Sequence, residues 1–64
     1  MNAHIESAQR AYRRALAMRD RAIEQAIAAR IRGDQAAYDL ATAARDRWID
    51  RVATSLQEIS EEGD

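Results

Sequence analysis

Cysteine and proline are both absent from this 64-residue chain. Without cysteine there can be no disulfide and no thiolate metal site. Chains this short usually need such a staple, or a partner, to fold firmly. The one histidine, His4, excludes a multi-histidine metal cage within a single chain. Two glycines are too few for a glycine-rich phosphate loop. Lysine is missing too: all ten basic residues are arginine. No apolar run approaches the ~20 residues that span a bilayer. No basic start followed by an apolar core marks a signal peptide. The expectation is a cytoplasmic protein with no membrane partner.

What is present is a helix-forming sequence dominated by alanine. It has one break, Arg32-Gly33-Asp34-Gln35. Gly33 can take the left-handed conformation that ends a helix, and Asp34 can cap the next. The reading is all-α: an antiparallel two-helix hairpin over residues 1–64. Helix 1 is expected over about 3–32, the turn at 33–34, helix 2 over about 35–61, and an acidic tail at 62–64. Asn2 is a candidate cap for the first helix.

In helix 1, Ala8, Ala15, Ala22 and Ala29 recur every seventh residue, with Ala11 and Ala26 beside them. Ile5, Tyr12, Leu16, Ile23 and Ile27 flank that line, so the apolar arc covers roughly 180°. Helix 2 carries Ala37, Ala41, Ala44, Trp48, Val52, Leu56 and Ile59 on one face, widened by Tyr38 and Ile49. A single partner helix needs a narrower stripe than this. The alanine lines are therefore expected to form the seam within the chain. Leu16, Ile23, Ile27, Ile49 and Leu56 are expected to form an interface with a second copy, giving a four-helix bundle, or with another helical protein. Arg19 and Arg45 interrupt the apolar sectors; their stems can cover apolar surface while their heads reach water. Arg19 is placed opposite Trp48, where a cation–π contact is an option.

The net charge of −1 is unevenly spread. Residues 2–32 hold seven arginines against Glu6, Asp20 and Glu24; residues 35–62 hold three against six acids. Opposite charge favours pairing of the two helices and leaves a basic surface for an acidic partner. Arg10, Arg13, Arg14 and Arg21 form a basic cluster on the outer side of helix 1. Arg10, Arg13 and Arg14, with Arg45, Arg47 and Arg51 on helix 2, are the candidates for nucleic-acid contacts.

Signals for catalysis are nearly absent. His4 would sit near Glu61, Glu62 and Asp64, and Ser7, Ser55 and Ser60 are the only serines. A lone hairpin offers no concave pocket. No catalytic residue, cofactor or metal is expected, and the function is read as non-enzymatic: a regulator or assembly module acting through protein–protein interaction. The alternative is a nucleic-acid-binding regulator.

Two resemblances bear on that choice. In length, central turn and acidic tail the chain resembles the Rop family of plasmid proteins, which implies a dimeric four-helix bundle that binds paired RNA loops. Over residues 19–52, Arg19-Asp20-Arg21-Ala22-Ile23, Tyr38-Asp39-Leu40-Ala41-Thr42-Ala43-Ala44 and Arg45-Asp46-Arg47-Trp48-Ile49-Asp50-Arg51-Val52 resemble short helix-turn-helix proteins of high-GC bacteria and their phages. That likeness implies a recognition helix in the DNA major groove, with Arg45, Arg47 and Arg51 as contacts. Arg45 stands where the turn glycine of that family would be, and the turn is shorter.

Overall fold

The computed structural model describes residues 3–62. It contains two helices, α1 (Ala3–Arg32) and α2 (Gln35–Glu62), packed side by side. The hairpin is a thin rod with extents of 48 × 14 × 11 Å. α2 reaches Glu62, so the helix takes in the first residue assigned to the acidic tail. Gly63 and Asp64, and the proposed cap Asn2, lie outside the described residues.

The turn is built from two adjoining caps. Gly33 has φ 76°, the left-handed region that costs a side-chain-bearing residue energy and glycine almost none. In that conformation Gly33 N–H donates to Arg30 O at 3.1 Å, and Asp34 N–H donates to Ala29 O at 2.9 Å. These two bonds satisfy carbonyls that the end of α1 would otherwise leave unpaired. Asp34 then opens α2. Its carbonyl accepts from Tyr38 N–H at 3.0 Å, and its Oδ1 accepts from Ala37 N–H at 3.0 Å. The carboxylate also meets the positive end of the α2 dipole. Chain reversal therefore needs only Gly33 and Asp34.

The seam between the helices is made of small residues. Ala8, Ala15, Ala22, Ala26 and Ala29 of α1 and Ala41 of α2 are buried, and no large side chain among the described residues is fully buried. Alanine lets the two backbones approach closely, but each buried methyl contributes only on the order of 1 kcal/mol. On α2 the seam holds one surprise. Ser55 is buried at 4% exposure, whereas its neighbour Leu56 is 51% exposed. A seam set to alanine width accepts the serine and turns the leucine outward.

No arginine–carboxylate pair crosses the seam among the described residues. The arginine–carboxylate pairs among the described residues are Arg19–Asp20, Arg32–Asp34 and Arg45–Asp46, all near neighbours in sequence. α2 also runs without a break through Ala44–Trp48. Residues 38–52 thus lie in one uninterrupted helix, with no turn separating two shorter ones.

Candidate functional site: two opposite faces of the hairpin

At ~100° per residue, side chains on each helix fall to one side or the other of its buried line. On α1 the line is Ala15, Ala22 and Ala29; Tyr12, Leu16, Ile23 and Ile27 turn to one side of it. On α2, Tyr38, Ile49 and Leu56 turn to the same side of the hairpin. Of the five proposed interface residues, Ile27 is 55% exposed, Ile49 44% and Leu56 51%, while Leu16 and Ile23 are half-buried. All five share this apolar face. Two exposed apolar residues missed in the sequence reading, Ile31 at 81% and Leu40 at 74%, do not. Ile31 is on the outer edge near the turn. Leu40 is on the opposite face, beside Gln25, Ala28, Arg32 and Ala37.

The opposite face is basic. Arg10, Arg14 and Arg21 of α1 turn toward it, as do Arg47 and Arg51 of α2. An open depression on this face is lined by Arg47, Trp48 and Arg51, and a second by Ser7, Arg10, Ala11, Arg14, Trp48 and Arg51. The six arginines proposed as nucleic-acid contacts are therefore divided. Arg10, Arg14, Arg47 and Arg51 come together; Arg13 lies on the outer edge of α1. Arg45 lies beside the seam on the apolar side, bound to Asp46. Arg21, which the sequence places in the helix 1 cluster, joins the group. The grouping depends on the register between two helices, which spacing along one helix does not reveal.

Arg19 does not sit on Trp48. Its Nε and Nη2 donate to Asp20 Oδ1 at 3.2 and 2.9 Å, and Trp48 borders Arg14 instead. His4 lines a depression with Ala8, Glu58 and Glu61 at the open end of the hairpin. No group of three or more metal-ligating side chains is assembled among the described residues. No helix among them is long and apolar enough to cross a membrane.

The chain matches no protein-family model, and neither the curated proteins nor the solved structures gave a match.

The two helices do resemble each other. Gln9, Ala11, Tyr12, Ala15, Ala17, Arg19-Asp20-Arg21 and Ile23 recur at one fixed offset as Gln35, Ala37, Tyr38, Ala41, Ala43, Arg45-Asp46-Arg47 and Ile49. Burial follows the same offset at several of these positions. Ala15 and Ala41 are buried, Ala29 and Ser55 are buried, and Tyr12, Tyr38, Arg19 and Arg45 are all half-buried. Because the helices are antiparallel, a pseudo-two-fold axis relates the copies. It passes between them at Arg19-Asp20 and Arg45-Asp46, which lie nearly equally far from the turn. The axis is perpendicular to the plane of the hairpin, so equivalent residues of the two helices appear on the same face. Aligning one half of the sequence with the other would have found this repeat.

Proposed function

We propose that the protein is a non-enzymatic interaction module of the cytoplasm whose apolar face pairs with a second copy to form a four-helix bundle. One observation carries the reading. The chain spends only alanine and serine on its own fully buried seam, while Leu16, Ile23, Ile27, Ile49 and Leu56 share one face and remain half-buried or exposed. Covering a large aliphatic side chain is worth roughly 1.5–3 kcal/mol, so the greater apolar gain still available lies outside the single chain.

The pseudo-two-fold repeat favours a second copy over an unrelated helix. A two-fold dimer buries the same patch on both molecules, so the patch must complement itself. Two copies stacked face to face place each Ile23/Ile49 pair over a similar pair. Asp20 and Asp46 border the face symmetrically and mark its polar rim.

The test is Ile23→Asp, which puts a charge into the proposed inter-chain core at a half-buried position away from the intra-chain alanine line. Sedimentation should show loss of the dimer, and circular dichroism a loss of helix at equal concentration. Unchanged mass and unchanged helicity would refute the assignment of this face. An Arg13→Gln control, on the outer edge, should leave both unchanged.

A further inference from the structure

The basic face lies opposite the apolar face and has its own chemistry. Seven arginines make no ion pair among the described residues, and five of them, Arg10, Arg14, Arg21, Arg47 and Arg51, share this face. On the apolar side the situation is reversed: Arg19 and Arg45 each take the carboxylate of the following aspartate. Along the middle of the rod the pairing thus differs between the faces; nearer the turn Arg32, beside Leu40 on the basic side, is paired with Asp34. Arg10 and Arg14, and likewise Arg47 and Arg51, are four residues apart on their helices, a spacing at which like charges repel. Glu24 and Asp50 point outward from the rod, and Glu58 sits further along beside His4 and Ala8. Glu6, Glu24 and Asp50 lie within one turn of Arg10, Arg21 and Arg47 but make no ion pair with them among the described residues, so the face has excess positive charge.

The only tryptophan lies within this group. Trp48 lines the depression with Arg47 and Arg51, and also the one shared with Arg10 and Arg14. It is half-buried, so part of the indole is accessible beside guanidinium groups from both helices. Guanidinium groups grip phosphate oxygens in pairs. Arg10 to Arg21 spans roughly 16 Å at ~1.5 Å per residue, enough to follow several consecutive phosphates. An indole among cations is a stacking platform that accepts any base.

We propose that this face, Arg10, Arg14, Arg21, Arg47 and Arg51 around Trp48, binds single-stranded nucleic acid, with the phosphodiester backbone along the arginines and a base against Trp48. A duplex keeps its bases stacked inside and cannot offer one to a half-buried indole. An acidic peptide would satisfy the arginines but would make no use of the ring.

The experiment uses the full chain and fluorescein-labelled 12-nucleotide single strands, oligo(dT) and oligo(U). Anisotropy is read at 50 and 200 mM salt, together with Trp48 emission. Binding to at least one strand is expected, with quenching of Trp48. Five phosphate contacts should weaken affinity about 100-fold between the two salt concentrations. The triple change Arg14→Gln, Arg47→Gln and Arg51→Gln should lower affinity at least tenfold, with helicity retained by circular dichroism. The pair Arg13→Gln and Arg30→Gln, off the face, should leave affinity unchanged. The proposal is overturned by absence of binding to both strands at 100 µM protein in 50 mM salt. Equal losses in the on-face and off-face variants would overturn it as well. So would a 12-base-pair duplex or oligo-glutamate that binds as tightly as the single strands. Sedimentation of the unmodified protein in the same samples separates the two proposals: binding by a folded monomer would refute the dimer and leave this proposal standing.

Discussion

Arg19 and Arg45 make the same contact. Each lays its guanidinium on the aspartate that follows it, through Nε at 3.2 and 3.1 Å and through Nη2 at 2.9 and 3.0 Å. Both pairs are partly exposed, so each adds little to stability. Their importance is positional. They mark where the two halves of a repeated sequence cross, and they turn positive charge that would otherwise border the apolar face into neutral pairs. The same repeat leaves Arg21 and Arg47 unpaired on the other side.

Replacing Gly33 by alanine should destabilise the hairpin by about 1 kcal/mol. Space is not the cause, since an added Cβ would meet nothing within 4 Å; the positive φ is. Thermal melts followed at the helical band should show a lower midpoint for Gly33→Ala, and a smaller loss for Gly33→Asn. Equal stability for glycine and alanine would mean that the left-handed turn is not formed in solution.

Asp34→Ala removes the 3.0 Å bond to Ala37 N–H and the carboxylate at the start of α2. A loss of about 1 kcal/mol is expected in urea denaturation. Asp34→Asn keeps the acceptor and should recover most of it.

Ala15→Leu tests the alanine seam. Ala15 has no exposed surface, and overpacking a tight site typically costs about 1–3 kcal/mol. Ala17→Leu, on the exposed side of α1, should be close to neutral. Equal effects of the two changes, measured by urea denaturation, would mean that α1 does not bury its alanine line against α2.

Much of this was readable in the sequence where the physics is local. Gly33 and Asp34 fix the turn through their own backbone preferences, and the seven-residue alanine spacing marks the seam. Ser55 shows where that reading stops. Hydrophobicity gives no reason to bury a serine, yet a seam set to alanine width takes it and leaves Leu56 exposed. Arg19 shows the same limit: its charge is met by Asp20 next door before Trp48 on the other helix can compete. The basic group was only half visible: Arg10, Arg14 and Arg21 share one side of α1 by spacing alone, but their meeting with Arg47 and Arg51 depends on the packing of two helices. The repeat was visible in principle, but only when one half of the chain is set against the other.

The most direct measurement is the mass of the unmodified protein by analytical ultracentrifugation across a dilution series. The account predicts a species of twice 7.2 kDa at tens of micromolar, dissociating on dilution with parallel loss of helix. A stable, fully helical 7.2 kDa monomer throughout the series would contradict it.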